Sequence, residues 1–334
     1  MTQSIHQTDI AIIGAGPAGL FAAFECGLLK MKSHVIDALS AVGGQCVALY
    51  PEKPIYDIPG YPSIESCVLV EKLAEQAGTM QPVYHLGQQV TELTRIEGGW
   101  RLTTSTETVI EAKAVIVAAG VGAFGPNRPP LEGLEEYEDR CIHYFVKSRA
   151  DFAGKKVLIA GGGDSAVDWA LSLSEIAQSV AIVHRRNKFR AAPESAERLD
   201  RLAAEGKIQV VTPYQLAGLE GEGGKLTAVK VATLDGEEKI IEADQMLAFF
   251  GLKNEIGPVK NWGLELVGNQ IKIDPASNAT NLPGVFAIGD IASYPGKLKL
   301  ILSAFAEAAR AAHSAFAVAF PDEAMHFEHS SSKK

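Results

Sequence analysis

Gly14, Gly16 and Gly19 are spaced to hold a pyrophosphate against main-chain N–H groups. In a G-x-G-x-x-G turn the first glycine permits the tight bend and the second lets phosphate approach the backbone. The third lets the following helix pack on the preceding strand, leaving the phosphates at the helix N-terminus. Asp37, in Ser33-His-Val-Ile-Asp37, supplies a carboxylate where a ribose diol would be read. A second such turn, G-x-G-x-x-A, is formed by Gly161, Gly163 and Ala166. At the offset that separates Gly14 from Asp37, this second turn is followed by His184-Arg185-Arg186, with Lys188 and Arg190 close behind. A carboxylate repels a 2'-phosphate, whereas the planar guanidinium fork matches phosphate oxygens. The first unit therefore reads as a site for a dinucleotide with a free ribose diol, and the second as a site for NADP(H).

Each turn needs a buried strand before it and a helix after it. Ile10 to Ile13 and Val157 to Ala160 are short apolar runs of the kind found in parallel sheets. Leu20 to Phe24, and the stretch through Asp168 to Ser174, supply the helices. Val180 to Val183 is the strand that carries His184. Between the two units, Val42 to Tyr50 and the prolines Pro51, Pro54, Pro59 and Pro62 form a long irregular excursion, and long ordered loops are often functional. In it, Gly43 and Gly44 allow close backbone approach, Gln45 offers amide hydrogen bonds and Tyr50 offers a flat ring. A helix is expected over Cys67 to Gly78, strands within Val83 to Thr108, and a buried strand over Ala114 to Phe124. Val90 and Leu93 face either core or an adenine ring.

Pro126, Pro129 and Pro130 mark a crossing between domains. Later, Leu234-Asp-Gly-Glu237 reads as a hairpin turn, and Met246 to Phe250 as the last strand of the second unit. Pro283 to Asp290 is a strand ending in Gly-Asp, which places Asp290 at a carboxyl edge where open α/β sheets bind ligands. Leu300 to Phe320 is an alanine-rich helix, followed by the tail Glu328-His-Ser-Ser-Ser-Lys-Lys334.

The chain has 334 residues, 47% hydrophobic and 21% charged, with formal net charge -9. That length suits two domains, and the acidic balance argues against general nucleic-acid binding. The first residues lack the basic start of a secretory signal and the apolar runs are short, so a cytoplasmic protein is expected. The cysteines Cys26, Cys46, Cys67 and Cys141 show neither CxxC nor metal-ligand spacing, and no metal is expected.

Two dinucleotide units, one inserted in the other, with Gly289-Asp290 after the insertion, resemble the two-domain flavoprotein pyridine-nucleotide oxidoreductases across practically the whole chain. Within that superfamily the sequence is most similar to the thioredoxin-reductase-like ferredoxin–NADP+ reductases. The resemblance implies an α/β fold of two Rossmann-like domains, with an NADP domain over 123–250 inserted into an FAD domain formed by 1–122 and 251–334. It implies FAD contacts from Gly14, Gly16, Gly19, Asp37, Gly44 and Gln45, and from Val90 beside the adenine, Phe124 and Asp290. Tyr50 and His329 would stack on the two faces of the flavin, with Ser330 and Ser331 at its edge and the tail crossing a homodimer. NADP(H) would fall to Gly161, Gly163, Ala166, Arg185, Arg186 and Arg190.

The resemblance further implies electron transfer between NADPH and ferredoxin through FAD, with no side-chain acid–base catalyst. The sequence lacks what related disulfide reductases require. Cys141-Ile-His-Tyr144 has one cysteine where a CxxC would stand, and five residues after Cys46 comes Pro51 rather than a second thiol. Dithiol exchange needs a resolving cysteine. The alternatives are an FAD-dependent NADPH oxidoreductase serving flavodoxin, a quinone or another small acceptor, and a non-enzymatic flavin-binding sensor. An acidic ferredoxin needs local positive charge on this acidic chain, for which Lys53, Lys297 and Lys299 are the candidates.

Overall fold

The computed structural model describes residues 5–323, and of 123–126 and 252–254 the backbone only. The expected roles of His329, Ser330 and Ser331, and of the Phe124 side chain, lie outside the described residues. The chain separates into two compact units. One takes in residues up to 48, 54–124 and from 254 onward, and the other takes in 49–53 and 125–253.

In the first unit, parallel strands Val83–His85, Ser33–Ile36, Ile5–Ile13 and Val109–Val117 lie side by side, and Val285–Ala287 also pairs with Val109–Val117. Gly99–Thr104 and Val90–Ile96 extend the sheet antiparallel. Ile10, Ile12, Val35, Val115 and Ile116 are wholly inaccessible, as a sheet covered on both faces requires. One cover is the helix Pro17–Leu28, with proline at its first position, where no N–H is needed. Against it packs Ile301–Ala319, whose buried Ala304, Ala308, Ala311 and Ala315 present a small-residue face.

The second unit holds a five-stranded parallel sheet in the order Ile142–His143, Gln245–Phe249, Lys156–Gly161, Ser179–Val183, Gln209–Val211. An antiparallel sheet of Gln215–Glu222, Lys225–Ala232 and Glu238–Glu242 adjoins it in sequence. Its Asp-Gly turn forms as expected, with Thr233 N–H donating to Glu237 O at 2.9 Å.

The structure departs from the sequence reading in three places. The strand expected over Ala114 to Phe124 runs instead from Val109 to Val117, because Gly120 and Gly122 then take φ of 59° and 80° and turn the chain. The loop after Asp37 is less irregular than its prolines suggest, since it contains the short helix Gln45–Ala48 and the paired strands Pro54–Ile55 and Ile64–Glu65. A further helix, Pro193–Ala204, was not anticipated.

Candidate functional site

The first glycine turn lies where the Ile5–Ile13 strand meets the Pro17–Leu28 helix, and contact requires glycine at Gly14 and Gly19. Gly14 takes φ of 113°, and a Cβ there would stand 2.3 Å from Ala118 O. A Cβ on Gly19 would stand 1.8 Å from Gly14 O. Gly16 differs, because a Cβ there would meet nothing within 4 Å. Gly16 also caps the helix without any side-chain hydrogen bond. The turn therefore presents open, uncapped helix N–H groups, which is the donor set an anionic pyrophosphate needs.

Asp37 follows the neighbouring strand Ser33–Ile36 and reaches back to this turn. Its Oδ2 accepts from Ala15 N–H at 2.6 Å and its Oδ1 from Leu39 N–H at 2.8 Å. Burial pushes its carboxyl above the usual range, and the two backbone donors oppose that shift. Each oxygen keeps a further lone pair for a ribose hydroxyl.

Gly43, Gly44 and Gln45 close on the same turn. Gly43 N–H donates to Ala15 O at 2.8 Å, and a Cβ on Gly44 would come 3.2 Å from Gly16 Cα. The Gln45 amide nitrogen would lie 3.4 Å from a Cβ on Gly120, which places it at the carboxyl end of the Val109–Val117 strand. Gly289, with φ of 72°, approaches Ala18 on the first helix, and Asp290 beside it is half-buried. The Asp290 main-chain carbonyl accepts from Gln270 Nε2 at 2.8 Å. Thus the glycine turn, Asp37, the Gly43–Gln45 segment and the Gly289-Asp290 turn share one carboxyl edge. Val90 is 4% exposed within the apolar cluster of this unit that includes Ile36 and Ile256.

The second turn repeats the arrangement with different chemistry at its rim. A Cβ on Gly161 would stand 2.9 Å from both Ala166 Cβ and Phe249 O, while Gly163 has only Arg190 O at 4.0 Å. Gly163 caps the Asp164–Leu173 helix without a side-chain hydrogen bond. Arg190 is tied to this turn through its N–H, which donates to Gly162 O at 2.6 Å. The His184 ring lies against Gly162, so that a Cβ there would be 2.1 Å from Cε1. Burial first, then the charges of Arg185, Arg186 and Arg190, push the His184 imidazole below its ordinary value. Its Nε2 is buried without a partner. Arg185, Arg186 and Arg190 are exposed, and none is ion-paired to a carboxylate of the described residues. Three unneutralised guanidiniums beside an open helix N-terminus fit a phosphorylated ribose.

Tyr50 belongs to the short segment 49–53 grouped with the second unit, and its ring packs against the apolar cluster there that contains Val146 and Phe152. Two of the three lysines assigned to an acidic partner are corrected. Lys53 Nζ pairs with Asp168 at 3.0 Å, its side chain 19% exposed. Lys297 is 7% exposed and paired with Glu307. Charges neutralised within the chain are poor docking groups. Lys299 alone of the three is exposed.

Glu307 is the residue that sequence reasoning missed. It is wholly buried on the Ile301–Ala319 helix, where Oε2 accepts from Gly289 N–H at 2.7 Å. Its Oε1 accepts from Tyr294 OH at 2.7 Å and from Lys297 Nζ. The available signal was an acid among alanines on a helix whose buried face is otherwise apolar.

No disulfide links the four cysteines. Burial pushes the Cys141 thiol up, so its thiolate is disfavoured, and the Sγ donates to Gly224 O at 3.5 Å. No helix among the described residues is long and apolar enough to cross a membrane.

The family model described as pyridine nucleotide-disulphide oxidoreductase matches residues 8–311. A ferredoxin–NADP reductase of Paramagnetospirillum magneticum is 61% identical over 326 residues, covering 97% of each chain. The ferredoxin–NADP reductase of Rhodospirillum rubrum is 57% identical, covering 99% of this chain and 97% of its own. Among solved structures, T. acidophilum thioredoxin reductase superposes with TM-score 0.82 at 27% identity, covering 93% of this chain and 98% of that one. Lactococcus lactis thioredoxin reductase gives 0.80 at 28% identity, covering 94% and 99%. The fold is thus the thioredoxin-reductase-like two-domain α/β fold, and the chain belongs to the pyridine nucleotide-disulphide oxidoreductase family.

Proposed function

We propose that this chain is a ferredoxin–NADP reductase in which the first unit holds FAD and the second holds NADP(H). The observation that carries the reading is the contrast between its two open glycine turns. One is flanked by the Asp37 carboxylate and the other by unpaired Arg185, Arg186 and Arg190. Bound FAD supplies the exchange between hydride, which moves two electrons at once, and single-electron transfer.

The residues' own work is to bind and orient. Gly14, Gly16 and Gly19 present N–H groups to the FAD pyrophosphate, and Asp37 accepts from the ribose. Gly44, Gln45 and Asp290 line the edge along which the flavin lies, with Val90 toward the adenine and Phe124 beside the strand end. Gly161, Gly163 and Ala166 let the NADP(H) phosphates reach the second helix, while the arginines select the 2'-phosphate. Tyr50 covers one flavin face. The C-terminal tail covers the other with His329, assisted by Ser330 and Ser331, across a homodimer. Truncation after Glu328 should leave FAD bound but shift the flavin absorbance band and slow ferredoxin reduction. Parent-like spectra and rates would remove the tail from the site.

The family's name includes disulfide substrates, yet the chain carries no dithiol in either expected place. Changing Cys46 and Cys141 together to Ser should keep NADPH-to-ferredoxin turnover within a few-fold of the parent, as stopped assays with purified ferredoxin would read. Collapse of turnover with flavin still bound would point to thiol chemistry instead. Steady-state kinetics with ferredoxin, flavodoxin and a soluble quinone test the acceptor. Ferredoxin should give the highest kcat/KM, and a higher value for the quinone would favour a general NADPH oxidoreductase.

A further inference from the structure

Outside both glycine turns, three histidines from three adjacent parallel strands converge. His6 lies on Ile5–Ile13, His34 on Ser33–Ile36 and His85 on Val83–His85. One ring nitrogen from each lies within 4.8 Å of the others. His85 Nε2 and His34 Nδ1 are 3.0 Å apart. The ring centroids of His6 are 5.9 Å from His34 and 5.0 Å from His85. His34 and His85 are 9% and 8% exposed, and His6 is half-buried.

Such a cluster is poorly served as ordinary core. Among the described residues a single hydrogen bond joins the three rings, and no carboxylate or carbonyl accepts from any of them. A tetrahedral zinc ion with bonds of about 2.0–2.1 Å sets its ligand nitrogens roughly 3.3 Å apart. The His34–His85 pair already stands near that spacing, and a His6 ring nitrogen lies within 4.8 Å of both partners.

We propose that His6, His34 and His85 form a site for one divalent transition-metal ion of the imidazole-preferring class, with Zn2+ as its test ion, held by three neutral imidazoles and water. Imidazole sets of this kind suit zinc, copper and nickel, and none of the three histidines belongs to the proposed cofactor sites. The ion would clamp the strands that lead into the Gly14 turn and Asp37. His85 O already accepts from Asp37 N–H at 3.0 Å, which makes the clamp continuous with the ribose acid.

The test uses the flavin-loaded full chain, stripped with chelator and titrated with ZnCl2 in a calorimeter. One Zn2+ per chain is expected, and at hundredfold excess over Kd the thermal midpoint should rise on the order of 5 °C. His34→Ala and His85→Ala should each weaken zinc binding by more than the roughly 10–100-fold that a lost supporting hydrogen bond costs. His6→Ala, at the least buried of the three, keeps the test decisive if a strand variant fails to fold. His143→Ala should leave zinc binding unchanged. X-ray absorption at the zinc edge of the parent should show nitrogen and oxygen neighbours and no sulfur. Substoichiometric uptake, sulfur ligation, or unchanged affinity in the folded His6→Ala chain would overturn the site.

Discussion

An Arg185→Ala, Arg186→Ala double variant is expected to lose NADPH recognition while its use of NADH stays near that of the parent. Both guanidiniums project from the turn after the Ser179–Val183 strand, exposed and without a carboxylate partner among the described residues. Their removal therefore breaks no internal ion pair and should leave stability almost untouched. Each lost charge-assisted contact to the 2'-phosphate should cost on the order of 1.5–3 kcal/mol. Arg190, fixed through its N–H to Gly162 O at 2.6 Å, retains part of the attraction. Kinetics with the two nucleotides at matched ionic strength check the claim, because the contacts are screened by salt. Equal losses for NADPH and NADH would refute the assignment.

Glu307→Ala should be the most destabilising single change in the first unit. Glu307 is wholly inaccessible and Lys297 is 7% exposed, so truncation strands a buried ammonium. It also leaves the Gly289 N–H and the Tyr294 hydroxyl without their acceptor. Breaking a buried pair in this way costs about 3–5 kcal/mol. The loss should appear as a lower urea midpoint and as faster FAD release, because Gly289 precedes Asp290. Glu307→Gln keeps an oxygen acceptor for Gly289 N–H but turns an amide NH2 toward Lys297 and Tyr294, so it should retain FAD better than the alanine variant while still losing the ion pair. A change below about 1 kcal/mol in Glu307→Ala would contradict the network.

Both glycine turns were legible in the sequence because each is local, with an apolar strand, three small residues and a helix in one short stretch. The charge contrast between Asp37 and His184-Arg185-Arg186 was legible for the same reason, since equal offsets place them after equivalent strands. Glu307 was not, because its partners Gly289, Tyr294 and Lys297 come from another turn and strand-end and become neighbours only when the helix packs. The same limit made Lys53 and Lys297 look like free surface charges, although Lys53 closes an ion pair with Asp168, far along the chain, and Lys297 closes one with Glu307 on the following helix. The histidine cluster is spread over three strands with no sequence spacing to reveal it. Tyr50 shows a different limit. Its aromatic type suggested stacking, but only the fold shows its segment grouped with the second unit.

The central claim is that NADPH electrons enter the bound flavin and leave singly to ferredoxin without a dithiol. Anaerobic stopped-flow mixing of the flavin-loaded protein with NADPH, followed by oxidised ferredoxin, tests it most directly. The flavin band should bleach on the first mixing, far faster with NADPH than with NADH. It should return on the second as ferredoxin is reduced, two molecules per NADPH, equally in the chain carrying Cys46→Ser and Cys141→Ser. A flavin that stays oxidised with NADPH, or a reduced flavin that ferredoxin leaves bleached, would contradict the account.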